Sequence, residues 1–142
     1  MNDCLFCKIA SGQIPSVKIY ESDTVLAFLD ISPVEKGHTL VVSKRIHSVG
    51  LLDTPPEVID ELLCVARKVA RGMIDIGFKG FNIVQNNFPA AGQSVPHLHI
   101  HIIPRSDSQE PLAWKSGAHP YADDAEREKL AARLREAIAK QA

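Results

Sequence analysis

The chain has 142 residues, 45% of them hydrophobic and 23% charged, a size and balance that fit one soluble domain with a modest core. A net charge of -1 and a pI near 6.6 exclude the clustered positive charge by which proteins hold nucleic acid or an anionic membrane, so neither is an expected partner and any phosphate must be held locally. Asp3 stands where a secretory leader would carry basic residues, and no apolar run approaches the length of a bilayer span, so a cytoplasmic location is expected.

The three cysteines then read as free thiols or metal ligands rather than a disulfide framework. Cys4-x-x-Cys7 is half of a zinc site in want of two further ligands, or else a pair of reduced buried thiols. "SVKIYE" (16–21), "TVLAFLD" (24–30) and "HTLVVSK" (38–44) are short, rich in β-branched and aromatic residues, and separated by turn signals at Ser22-Asp23 and between Pro33 and Gly37. They predict three strands. A long helix follows over 54–77, with Thr54 as N-cap, Pro55 at the first helical position, Glu57 completing a capping box, and Val58, Leu62, Val65 and Val69 on one face. Cys64 falls within it as a core residue. "FNIVQN" (81–86) and "HLHIHII" (97–103) return to strand, and Asp123 with Glu126 opens a final helix bearing Leu130, Leu134 and Ile138. This order predicts an α+β fold with a largely antiparallel five-stranded sheet, a main helix and a C-terminal helix.

Half of the chain's six histidines lie at alternate positions of one predicted strand, His97, His99 and His101, with Leu98, Ile100 and Ile102 facing the other way into the core. At about 3.3 Å per residue the backbones of His97 and His101 are roughly 13 Å apart, so this strand alone cannot supply a three-histidine zinc site. Imidazole is the side chain that serves as neutral nucleophile or proton donor near pH 7, which makes the row suited to phosphate or acyl transfer. Just upstream, "NNFPAAGQS" supplies a loop in which Gly92 lets the backbone approach an anion while Gln93 and Ser94 offer donors.

The row His97-Leu98-His99-Ile100-His101-Ile102-Ile103, together with "LDISP", "GHTLVV" and "FNIVQNNFPAAGQS" in that order, resembles the histidine triad (HIT) nucleotide-binding family over about residues 4–105. The resemblance implies a single HIT domain spanning 1–142 with a C-terminal extension over 106–142, assembled as a homodimer with joined sheets. It implies a hydrolase that binds purine nucleotides and acts at the α-phosphate through a nucleotidyl-histidine, on a phosphoramidate or related substrate, with no cofactor required for catalysis. His99 would be the nucleophile, His101 would hold phosphate oxygens, His97 would support the arrangement, and His38 matches a fourth active-site histidine. Asp30 matches the carboxylate that binds the ribose hydroxyls; Leu5, Phe6, Phe28 and Ile31 match the walls around the base; Asn86, with Asn87 as its confusable neighbour, matches a phosphate-side amide. Some bacterial relatives complete the cysteine pair as a structural zinc site, and His47 with His97 would be the further ligands here, although Ile46 is an insertion that could turn His47 away. A zinc-bound His97 could not also bind phosphate. Pro104-Arg105 raises a dinucleoside polyphosphate hydrolase as an alternative, and a nucleotide-binding module with vestigial activity is another. Trp114 either folds back over an active site, its own or a partner's, or anchors the tail.

Overall fold

The computed structural model describes residues 3–106 and 114–141; residues 107–113 of the expected C-terminal extension lie outside the described residues. Five antiparallel strands, β1 (Lys18–Glu21), β2 (Val25–Leu29), β3 (Thr39–Ser43), β4 (Gly80–Val84) and β5 (Ile100–Arg105), form one sheet in the order β1-β2-β3-β5-β4. Three helices accompany them: α1 (Leu5–Ala10), α2 (Pro56–Asp75) and α3 (Asp124–Ala139). Among the described residues no helix is long and apolar enough to cross a membrane.

The two-residue period of a strand sorts side chains to opposite faces of the sheet. Val25, Ala27, Leu29, Val41, Ile100 and Ile102 face α2 and α3 and close a core with Leu62, Val69, Met73 and Leu134. Their neighbours Leu26, Phe28, Leu40 and Val42 face the other way, where Phe6 and Ile9 of α1 cover them. Strand β2 and strand β3 are therefore buried on both faces, which explains their nearly continuous apolar sequence.

Three local expectations are corrected. Cys64 is exposed on α2 and not part of the core. The long helix is capped by Pro55, not Thr54: Pro56 supplies the first helical position without an amide hydrogen, no side chain caps the end, and the Val58 amide turns to the Pro55 carbonyl at 3.0 Å. The Thr54 hydroxyl instead bonds the Gly50 carbonyl at 2.6 Å and lies 2.7 Å from the Ser48 hydroxyl. The histidine strand begins at Ile100 rather than His97, because Pro96 has no donor for a ladder and His97 bends to give its amide to the Val95 carbonyl at 2.8 Å. Helix α3 starts as expected, with the Asp123 carboxylate accepting from the Glu126 amide at 2.8 Å.

Because Leu134 of α3 is wholly buried in the same cluster as the sheet and α2, the tail helix should unfold with the rest of the protein. Leu134→Ala is expected to lower stability by about 2–5 kcal/mol in one cooperative denaturant transition. A change within a few tenths of a kcal/mol, or a separate early transition for the tail, would show that α3 is only loosely attached.

Candidate active site

The parity of β5 directs His101 away from the helices, toward the face that α1 covers, and His99 just ahead of the strand joins it there with ring centroids 4.7 Å apart. Both rings are buried. Each has one nitrogen committed to the protein, and those commitments decide where the protons sit. The His99 Nδ1–H donates to the His97 carbonyl at 2.6 Å, which leaves the Nε2 lone pair free. His38 accepts the Val34 amide at Nδ1 (3.1 Å), so its proton lies on Nε2 and is donated to His101 Nδ1 at 2.9 Å. His101 must then carry its own proton on Nε2. The result is a neighbouring pair with one free lone pair and one free N–H, a nucleophile beside a hydrogen-bond donor.

Burial keeps these rings neutral: it lowers His101 to about 3 and His38 to about 4, and it also lowers His99. The 3.8 Å approach of Asp30 to His38 Nε2 is accordingly not an ion pair at neutral pH. Asp30 accepts from the Ser32 amide at 2.8 Å, and burial raises its carboxyl above the usual range. Asp30, His38 and His101 stand close enough to face a cation, yet both His38 nitrogens already have partners, so the group reads as a hydrogen-bond relay.

Phe6 is buried with its ring edge-on to His99 at 4.9 Å and to Phe28 at 5.8 Å, Leu5 is half-exposed beside it, and Ile31 projects into solvent at 79% exposure. Gly92 adopts φ +91°, a conformation that a side chain would strain, and the Asn86 amide lies beside it. Asn87 differs from Asn86: its side chain accepts from the Leu51 amide at 2.7 Å and pairs with Gln85, which makes it part of the scaffold. Gln93 is buried and gives both amide hydrogens to backbone, to the Val49 carbonyl at 2.6 Å and the Val95 carbonyl at 3.0 Å, while its oxygen accepts from Phe88. Phe88 itself holds φ +72°, a strained setting for a bulky residue that this clamp helps to maintain. Ser94 is exposed and remains the loop's available hydroxyl.

His97 turns to a different cluster. Its Nδ1 lies 3.3 Å from Cys4 Sγ and 3.4 Å from Cys7 Sγ, and His47 Nδ1 lies 3.3 Å from Cys7 Sγ. Ile46 thus does not turn His47 away. All four ligand atoms lie within 4.8 Å of one another. A tetrahedral zinc with bonds of about 2.3 Å to sulfur and 2.0–2.1 Å to nitrogen places S and N about 3.5 Å apart, so donor type and spacing both fit that metal. Burial and the adjacent Cys4 thiol raise Cys7 to about 11, and a bound cation is what would convert the pair to thiolates.

The HIT domain family profile matches residues 11–108, more than half of the chain. This chain belongs to the HIT family. It is 45% identical over 123 residues to Protein hit of Bacillus subtilis, covering 84% of this chain and 83% of that protein. It is 41% identical over 115 residues to an adenosine 5'-monophosphoramidase of Schizosaccharomyces pombe, covering 80% and 84%. Among solved structures, a zinc-bound histidine triad family protein from Mycobacterium smegmatis superposes with a TM-score of 0.85 at 38% identity, over 98% of this chain and 95% of that one. The five-stranded antiparallel sheet with its helices is the architecture of these HIT structures.

The tail adds residues that no motif pointed to. Gly117 donates to the Ser32 carbonyl (3.1 Å), the His119 ring bonds the Val34 carbonyl (3.0 Å) and pairs with Glu35 (2.8 Å), and the Tyr121 hydroxyl accepts the Gly37 amide (3.0 Å). These contacts strap residues 114–121 along the loop between Asp30 and His38. Trp114 is thereby set edge-on to His101 at 4.7 Å and to His38 at 5.6 Å, all within one chain. Helix α1, too short for its periodicity to be read, was also invisible to pattern, and with it the contact of Phe6 with His99.

The depressed histidines set an acid limit. A folded-state pKa below the unfolded 6.5 means that the neutral form stabilises the fold; that contribution is present above pH 6.5 and lost as pH falls toward 4 for His38 and 3 for His101. His38 faces Asp30, His99, His101, Trp114 and the charge of Arg105; His101 faces His38, His99 and Trp114. Stability to urea is expected to fall between pH 6.5 and 5, above the range in which ordinary carboxylates protonate, and His38→Gln should flatten that slope. A level profile over this interval would contradict the burial of neutral rings.

Proposed function

We propose that this protein is a purine nucleotide hydrolase acting at the α-phosphate, with a nucleoside phosphoramidate or similarly linked nucleotide as substrate. The observation that carries the reading is the opposite protonation of two adjacent rings, a free Nε2 lone pair on His99 beside a free Nε2–H on His101. The likeness to a relative named as an adenosine 5'-monophosphoramidase supports the same substrate class. His99 Nε2 attacks the α-phosphorus; a P–N bond forms as the bond to the leaving group breaks, the amine of a phosphoramidate departing with the proton it already carries, while His101 Nε2–H donates a hydrogen bond to a phosphate oxygen. Water then attacks the nucleotidyl-histidine and loses a proton to the surrounding water as the P–N bond breaks, which returns the lone pair to His99 and releases the nucleoside monophosphate. Asp30 would accept from the ribose hydroxyls, Leu5, Phe6, Phe28 and Ile31 would flank the base, and Asn86, Ser94 and the backbone at Gly92 would face the phosphate. No step requires a metal; the Cys4, Cys7, His47 and His97 cluster would hold zinc as a structural ion. The chain would work as one HIT domain over 1–142, its extension closing against the site.

Arg105 donates to Asn82 at 2.9 Å within the sheet, so the residue that raised a dinucleoside polyphosphate substrate is engaged in the scaffold. Turnover of adenosine phosphoramidate by the parent and by His99→Ala tests the reading. The variant is expected to lose at least about a thousandfold in rate, while the fluorescence of Trp114, which sits against His101, still reports AMP binding. Undiminished turnover in His99→Ala would end the covalent mechanism, and a parent that binds AMP without turnover would make the protein a binding module.

The free edge of β4 calls for a second copy of the chain. Phe81 and Ile83 of β4 are 42% and 44% exposed, and with Leu63 and Ile74 of α2 they form an apolar groove beside an unpaired strand edge. A homodimer pairing through β4 would cover both. Light scattering is expected to give twice the 15.6 kDa of one chain, and Phe81→Asp should shift the mass toward the monomer. A monomeric parent at micromolar concentration would remove this assembly.

A further inference from the structure

The zinc-ligand cluster and the nucleophile are two residues apart, and two separate links join them. The first is backbone. His97 turns its ring to the cysteines and, through its own carbonyl, accepts the Nδ1–H that selects the reactive tautomer of His99. This peptide precedes β5 and has no ladder to hold it: its neighbours are fixed by the His97 amide on Val95, the Leu98 amide on Ser48 and the burial of Leu98, so the His97 ring is a further hold on the orientation of its carbonyl. The second link is packing. Phe6 lies between Cys4 and Cys7 on α1, and its ring meets His97 at 6.0 Å and His99 at 4.9 Å, both edge-on. Six residues are too few for a helix to persist by itself, so α1 is held by the burial of Phe6 and Ile9 and by whatever fastens its two cysteines. The cluster is also reachable: Cys7, His47 and His97 line a cavity of about 510 Å³ that opens beside Lys44 and Arg45.

The geometry points to the Cys4, Cys7, His47 and His97 cluster as a positioning device for His99: a divalent metal held there sets the nucleophile's tautomer through the His97 carbonyl and its ring position through Phe6. The inference rests on the proposed role of His99, and it separates metal occupancy from nucleotide affinity. With the metal bound, the peptide after His97 is fixed and His99 keeps its lone pair on Nε2. Without it, the carbonyl is free to swing and the His99 proton redistributes between the two ring nitrogens. Rate falls far more than nucleotide affinity, because Phe28, Ile31 and Asp30 lie off α1 and keep their places while Leu5 and Phe6 loosen with it.

The test compares the zinc-loaded protein, the chelator-stripped protein, His47→Ala and His47→Cys. The ring ¹⁵N signals of His99 in histidine-labelled protein, AMP affinity and adenosine phosphoramidate kcat are the readouts. Zinc is expected to bind one per chain, and the loaded His99 to show one protonated and one unprotonated ring nitrogen. Stripping and His47→Ala should both average those two signals and lower kcat by roughly ten- to a hundredfold, with AMP affinity changed by about threefold or less. His47→Cys should restore zinc, the tautomer and kcat, since three cysteines and one histidine are an equally good zinc set. Identical His99 signals and kcat with and without zinc, or no zinc uptake by the parent, would overturn the inference. A zinc-dependent tautomer in a protein with no turnover would support the positioning and sink only the hydrolase reading.

Discussion

An imidazole has two nitrogens, and burying it in the neutral form obliges the protein to find a partner for at least one of them. In this fold that obligation decides the chemistry. His99 gives its Nδ1 proton to the carbonyl two residues earlier, and His101 receives a proton at Nδ1 from His38, itself set by the Val34 amide. Removing the rings from water lowers their pKa, so the arrangement persists at neutral pH rather than dissolving into imidazolium. Three residues of identical type along one short segment thereby acquire three different roles: metal-ligand geometry at His97, a free lone pair at His99 and a free N–H at His101.

The rest of the fold serves to keep that segment in place. Strand β5 lies between β3 and β4, where ladder bonds hold it on both sides and its alternate residues Ile100 and Ile102 are gripped by the α2 and α3 core. Burying an aliphatic side chain of that kind contributes about 1.5–3 kcal/mol, enough that a slip of one residue, which would exchange these isoleucines with histidines, is strongly disfavoured. The segment ahead of the strand lacks such a ladder, and there side chains take over: Gln93 stitches three backbone groups, and the cysteine cluster surrounds the His97 ring.

Much of this was legible before any coordinates. The alternation of β-branched residues marked all five strands to within a few positions, Asp123 with Glu126 marked the start of α3, and the histidine row carried the family. The misplaced features share a cause. Thr54 satisfied the local pattern of an N-cap, but the helix starts one residue later, with Pro55 in the cap position, and the threonine hydroxyl went to the preceding loop. Pro96 likewise cut the histidine strand short by removing a donor from the ladder. Helix α1 is a single short turn structure stabilised by side chains from β2 and β3, so its own sequence carried no periodic signal.

The sequence by itself determined the residue types and the parity: which side chains are apolar, which histidines share a face, which cysteines lie one helical turn apart. Those properties depend on covalent order and on periods of 2 and 3.6 residues, both of which are local. Only the tertiary structure decided partners separated by tens of residues. It put His38 on His101 across β3 and β5, His47 against a cysteine forty positions earlier, Asn87 into the scaffold while Asn86 stayed beside Gly92, and Trp114 onto the His38 and His101 rings of its own chain. Such choices follow from packing and from the requirement that each buried polar atom find a mate, and that requirement can be evaluated only when the whole chain has closed around it.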